Sequence, residues 1–244
     1  MNLPIPNRRA AGRTLATFLE SYRHHGGVLV LALSPDAVPV AYEIASGIDA
    51  GLDLFLVREL PVFERAGGSP GAVVSDFEPV FNEGVLQEYP VGKSRLGEAA
   101  RREQRALSLR EQTLRGARPR PELKGRCVIL VEDCLANGAL IRAAVRVLRD
   151  HDVARLVVAV PVASTRVMDE VQAISDEIAY IATQEPFLGL DWWYEDTQPV
   201  PDEEVRALLE RIPPGQWSGT EGATDTGRPL SVSSHARREP EVWT

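Results

Sequence analysis

Short runs of consecutive apolar residues alternate with stretches in which apolar residues recur every three or four positions, from residue 14 to about residue 210. Continuous runs predict strands buried on both faces, and the 3.6-residue spacing predicts helices packed against them. The strand candidates are Val28 to Leu33, Leu54 to Val57, Cys127 to Val131, Leu156 to Val160 and Ile178 to Ala182. Helical patterns cover Val38 to Ile48, with Pro39 suited to a first turn, then Leu96 to Leu114, Leu140 to Leu148 and Ser164 to Ile174. Gly116 and the Pro119-Arg120-Pro121 break close the second of these helices. Gly71 to Ser75 and Pro79 to Asn82 flank Asp76, Phe77 and Glu78 and predict a hairpin. The order predicts βαβ units, hence an α/β domain on a parallel sheet with a hairpin insertion. That domain is expected over residues 8–212, with no boundary in the middle. From 213 to 244 the chain turns to Pro, Gly, Ser and Thr with little aliphatic content, which predicts a flexible tail. Trp217 and Trp243 stand alone in it.

One segment carries chemistry. The apolar strand Cys127 to Val131 empties into two adjacent carboxylates, Glu132 and Asp133, and a short loop with Gly138 leads into the next helix. In open α/β sheets ligands lie outside the carboxyl ends of strands, where helix N-terminal amides favour an anion. Ionised carboxylates accept strongly and suit vicinal hydroxyls or a metal. Ala136, Asn137, Gly138, Ala139 and Leu140 would form a phosphate loop, since Gly138 permits a tight turn and close approach.

This segment resembles the signature of the type I phosphoribosyltransferases, which bind phosphoribosyl pyrophosphate (PRPP). There a hydrophobic strand is followed by two acids, three loop residues and a Thr-Gly-x-Thr or Thr-Gly-x-Ser turn. Glu132 and Asp133 match the acids and Gly138 the glycine, whereas Asn137 and Leu140 stand where the hydroxyl residues belong. The resemblance covers residues 8 to 210 and implies a five-stranded parallel core with flanking helices. It implies that Glu132 and Asp133 accept hydrogen bonds from the ribose hydroxyls, and that the loop wraps the 5-phosphate. The pyrophosphate region falls on Pro35, Asp36 and Ala37 after the first strand and on Arg58 and Glu59 after the second. Relatives typically read Pro-Arg-Gly-Gly where Ser34, Pro35, Asp36 and Ala37 stand, so an arginine is gone and an aspartate has appeared, and they carry a basic residue where Glu59 stands. Acids 4 to 6 Å from a polyphosphate would each cost on the order of 1 kcal/mol at an effective dielectric near 20. All of these residues are expected to line one crevice with the acidic pair. Phe187, Trp192, Trp193 and Tyr194 fall where the family places a hood over the base; as a core cluster they would serve equally well. The implied partner is PRPP or a nucleoside monophosphate, with Mg carried on PRPP, no dedicated metal-binding residues in the chain, and a homodimer compatible with the reading. Two functions follow: transfer of ribose 5-phosphate from PRPP to a nitrogenous base, or a catalytically inactive descendant that binds a nucleotide or ribose phosphate.

Charge and cysteines narrow the field. A formal net charge of -8 argues against general nucleic-acid binding. The basic run Arg101, Arg102, Arg105, Arg110 and Arg115 is interleaved with Glu98, Glu103 and Glu111 and reads as a solvated helix face. Cys127 and Cys134 lack metal or redox spacing, and the acids before Cys134 disfavour a thiolate. No apolar run has membrane-spanning length and the first residues lack the core of a secretion signal, so a cytoplasmic protein is expected. His24 and His25 read as surface residues; Arg166, Asp169 and Glu170 fit either a base-recognition element or helix-surface charges. A response-regulator receiver domain is excluded because no later strand ends in an aspartate and no lysine follows Lys124. A dinucleotide-binding domain lacks its Gly-x-Gly-x-x-Gly.

Overall fold

Alternate residues of the apolar runs feed two separate cores, and this period-two division sets the architecture. In the computed structural model, which describes residues 3–61, 69–136 and 138–214, the chain begins with helix α1 (Arg8–Phe18), strand β1 (Val28–Ala32) and helix α2 (Val38–Gly47). Strand β2 (Gly51–Leu54) follows, then β3 (Val57–Glu59), β4 (Gly71–Val74), β5 (Val80–Phe81) and the helices α3 (Glu83–Glu88) and α4 (Lys93–Arg115). The second half runs β6 (Cys127–Val131), α5 (Ala139–Asp150), β7 (Arg155–Ser164), α6 (Thr165–Gln172), β8 (Glu177–Gln184), α7 (Leu190–Trp193) and α8 (Asp202–Glu210).

Five strands form a parallel sheet in the order β2-β1-β6-β7-β8. Val28, Val30, Ala32, Ile129 and Val131 face one core with α1, α2, α4 and α8, while Leu29, Leu31, Leu33, Val128 and Leu130 face the other with α5 and α6. β3, β4 and β5 form a separate antiparallel sheet that packs on α5.

The expected second strand, Leu54 to Val57, is displaced. β2 ends at Leu54 and β3 begins at Val57, so the apolar run bridges two sheets instead of forming one strand. Asp53 is why the boundary is obscure. It is a buried carboxylate inside β2, held by Arg115 Nη1 at 2.5 Å, and Arg115 Nη2 also bonds Glu111 at 2.9 Å and the Leu54 carbonyl at 3.0 Å. This network covers the edge strand with α4. The predicted hairpin is present as β4 and β5, and the predicted tail lies outside the described residues apart from 213 and 214.

Two glycines bring α1 against α2. A Cβ on Gly12 would lie 2.6 Å from the Val40 carbonyl oxygen and 2.8 Å from Glu43 Cβ, and one on Gly47 would lie 2.7 Å from Ala16 Cβ. Asn7 caps α1 by accepting from Ala10 N at 2.9 Å, which places Arg8 at the first turn, over the strand ends.

Candidate functional site

The chain leaves β1 for β2 on one side of the sheet and leaves β6 for β7 on the other, so the gap between β1 and β6 is the topological switch point. Glu132 and Asp133 follow β6 at this gap, and Ser34 follows β1 across it. Ser34 Oγ donates to Glu132 Oε1 at 2.6 Å, and the Asp133 amide donates to the same oxygen at 3.0 Å. Glu132 Oε2 is buried with no hydrogen-bond partner among the described residues. Burial, then the neighbouring Asp133 charge, pushes the Glu132 carboxyl up to about 8, and the Ser34 bond opposes this only in part. At neutral pH Glu132 is therefore mainly a neutral acid.

Asp133 is tied down on two sides. Arg8 donates to its Oδ2 through Nε at 2.9 Å and Nη2 at 2.8 Å, with both side chains buried. Arg8 Nη1 reaches the Gln198 carbonyl at 2.8 Å, and Tyr194 Oη donates to the Asp133 carbonyl at 3.1 Å. Ile5 N donates to the Trp193 carbonyl at 2.7 Å, Glu195 N to the Ile5 carbonyl at 3.0 Å, and Val200 N to Asp36 Oδ1 at 2.7 Å. Residues 5–8 and 193–200 thus cross the strand ends as one strap. Under it Glu132 is 4% and Asp133 6% exposed. Burial and then the charges of Asp133 and Glu132 raise the Cys134 thiol, which removes it as a nucleophile.

Beyond the acids the chain passes Ala136, which is exposed, and enters α5 at Gly138. A Cβ on Gly138 would lie 2.5 Å from Arg142 Nη1, which pairs with Glu170 Oε2 at 2.6 Å. Leu140 packs toward the core instead of the helix terminus. A cleft of about 890 Å³ opens here between the β4–β5 hairpin, α5 and α6, lined by Gly138, Ala139, Arg142, Arg146, Arg166 and Glu170 among others. The acidic pair does not line it.

The crystal structure of TT1426 from Thermus thermophilus matches this fold with a TM-score of 0.74 and 31% identity, over 86% of this chain and 100% of that one. A Mycobacterium tuberculosis protein named "Putative phosphoribosyl transferase", from strains CDC 1551 / Oshkosh and ATCC 25618 / H37Rv, is 32% identical over 205 residues. The chain belongs to the phosphoribosyltransferase family. The match takes in 84% of this chain and 46% of the mycobacterial one, so the chain spans about half the length of the curated relatives it matches. No family model matches it.

In this phosphoribosyltransferase-family chain the predicted site residues fall into three groups. Glu132, Asp133, Pro35, Asp36 and Ala37 meet at the switch point, though Ala37 is fully buried and Asp36 is spent on the Val200 amide and faces Arg8. Arg58 and Glu59 begin the small sheet instead. Val57 N bonds the Leu33 carbonyl at 3.1 Å, but Arg58 then turns to Glu103 of α4, 3.6 Å away, and Glu59 pairs with Ala72. Arg58 therefore brings no cation to the acidic pair. The aromatic group also divides. Trp193 is 0% exposed, in a cluster with Ile5, Ala11, Val162 and Ala182, and Phe187 stacks on it at 6.5 Å. A buried ring cannot stack on a base, so for Trp193 the hood expectation gives way to core packing. Trp192, at 59% exposure, is free to do so. Asn137 lies outside the described residues. Arg8, Tyr194 as a donor to Asp133, and Gln198 are site residues that spacing does not reveal, because the Arg8 contact spans 125 positions.

Proposed function

We propose that this chain binds a ribose 5-phosphate ligand at the β6–α5 turn and transfers that unit from PRPP to a nitrogenous base. The observation that supports this most is the acidic pair at the switch point, directly before a helix whose first amides face the same end of the sheet. Asp133 would accept the ribose hydroxyls. Glu132, neutral and fixed by Ser34, would donate to one of them or accept through Oε2. Among the described residues no group of three or more His, Cys, Asp or Glu side chains gathers as a metal set. Mg would enter as the counter-ion of the PRPP pyrophosphate, where it would neutralise the departing charge.

Asp36 favours a second reading. An acid at the pyrophosphate end repels PRPP but not a nucleoside monophosphate, so a non-catalytic nucleotide binder accounts for it. Calorimetric titration of PRPP with Mg, then of nucleoside monophosphates, into wild type and Asp133→Asn separates the two. Micromolar PRPP binding that the variant loses, followed by pyrophosphate release with a base, supports transfer. Monophosphate binding without PRPP binding supports the second reading, and binding of neither overturns both.

A further inference from the structure

From the strap geometry we infer that Arg8 is a latch: its guanidinium occupies the acceptor oxygen of Asp133 that the ligand's hydroxyls need, and ligand entry requires residues 195–200 of the strap to lift while Ile5, Trp193 and Tyr194 stay in the core. This rests on the proposal that Asp133 holds a ribose. Both Arg8 bonds to Asp133 converge on the single oxygen Oδ2, in the way two donors of a diol would. Its third bond, to the Gln198 carbonyl, joins the latch to the strap. The strap is otherwise held by few bonds: Ile5 with Trp193 and Glu195, Tyr194 with Asp133, and Val200 with Asp36.

These contacts differ in kind. The Ile5, Trp193 and Tyr194 side chains are buried, whereas Glu195, Gln198 and Val200 are exposed or half-buried. The Arg8 and Asp36 bonds therefore hold a segment that little apolar burial retains between Tyr194 and Val200, the latter packing against the core. A segment of that type opens at low cost relative to the core. With the strap down neither acid is reached from solvent, so the binding-competent population is the lifted one, and apparent affinity scales with its fraction.

The test uses ribose 5-phosphate as ligand, titrated calorimetrically into the full chain, Arg8→Ala and Arg8→Lys. Arg8→Ala should bind about tenfold more tightly, by the relation between competent fraction and apparent affinity, and Arg8→Lys by a smaller factor. Loss of a cation by itself weakens binding of a phosphate ester, so tightening reports the release of Asp133 from Arg8, and exchange reports the strap. Hydrogen exchange on the wild type supplies the second readout and needs no variant: saturating ligand should speed exchange at the Glu195 and Val200 amides. Unchanged or slower exchange at these amides with ribose 5-phosphate bound, or weaker binding by folded Arg8→Ala, overturns the latch and leaves the ribose site standing. Absence of binding to wild type and both folded variants overturns the ribose site, and the latch with it.

Discussion

Glu132 makes the stability of this domain fall with rising pH over a window set by burial. Its carboxyl moves from an ordinary value of 4.5 to about 8 in the folded chain. Below 4.5 both folded and unfolded chains hold the proton, and the stabilisation is fully present. Between 4.5 and 8 the unfolded chain releases the proton and the folded chain keeps it, so stability drops as pH rises and levels off above 8. The whole interval corresponds to roughly 5 kcal/mol at 1.36 kcal/mol per pH unit, of which roughly 3 kcal/mol falls between pH 5 and pH 8. Glu132→Gln replaces the neutral acid by an amide of the same shape. Its oxygen can still accept from Ser34 Oγ and the Asp133 amide, and it does not titrate. Urea unfolding of wild type and Glu132→Gln at pH 5, 6.5 and 8 reads this group together with Asp133, whose charge is coupled to it, while the titrating residues elsewhere cancel between the two proteins. The wild type should lose roughly 3 kcal/mol more than the variant across that range, about 6 to 12 °C in melting temperature for a chain of this size. Parallel profiles would refute the reasoning and mean that Glu132 is ionised in the folded chain.

Other outcomes follow from single contacts. Arg115→Met leaves Asp53 buried without its ion-pair partner, while Glu111 keeps Arg120, and should cost about 3 to 5 kcal/mol, read as a fall in the urea midpoint at constant slope. Gly12→Ala drives a methyl into the Val40 carbonyl and Glu43, so an overpacking cost of about 1 to 3 kcal/mol should exceed the roughly 1 kcal/mol gained in helix propensity; a raised melting temperature would refute the close approach. Both thiols are disfavoured as thiolates, Cys127 pushed up to about 12 by burial and Cys134 raised by burial and by Asp133. Iodoacetamide at pH 8 should modify neither until the chain unfolds, as mass spectrometry of the native and urea-treated protein can establish.

What could be read along the chain was whatever depends on near neighbours. β6, its two acids and the start of α5 form one continuous stretch, so their order and placement at a strand end were visible in the pattern. β1, α2, the β4–β5 hairpin and α4 were legible for the same reason. The division of Leu52 to Leu60 between two sheets was not, because Asp53 interrupts the apolar run in β2 and its partner Arg115 lies 62 positions away. The short helix α8 is not among the expected elements, although Val205, Leu208 and Leu209 recur at helical spacing behind Pro201 and the acids Asp202, Glu203 and Glu204. Those same acids suit the first turn of a helix, where the dipole favours negative charge. Arg8 was one arginine in a polar N-terminal stretch, and nothing local marks it as the partner of Asp133.

The acid at position 36 shows how a charge that weakens one interaction can serve another. In isolation, Asp36 at the proposed pyrophosphate end would repel PRPP. In the folded chain it accepts the Val200 amide and adds to the field that favours a charged Arg8. Asp36, Arg8 and Asp133 therefore form an anion–cation–anion series across the strand ends, in which Arg8 is attracted from both sides. Once the strap lifts, Arg8 leaves that series, and Asp36 and Asp133 face the crevice without their shared cation. A ligand that enters must then supply positive charge, or carry little negative charge at the Asp36 end. Magnesium bound to pyrophosphate meets the first condition and a nucleoside monophosphate meets the second. The dependence of PRPP affinity on Mg should accordingly be steeper in the wild type than in Asp36→Asn. Equal dependence in the two proteins would show that Asp36 serves only to hold the strap.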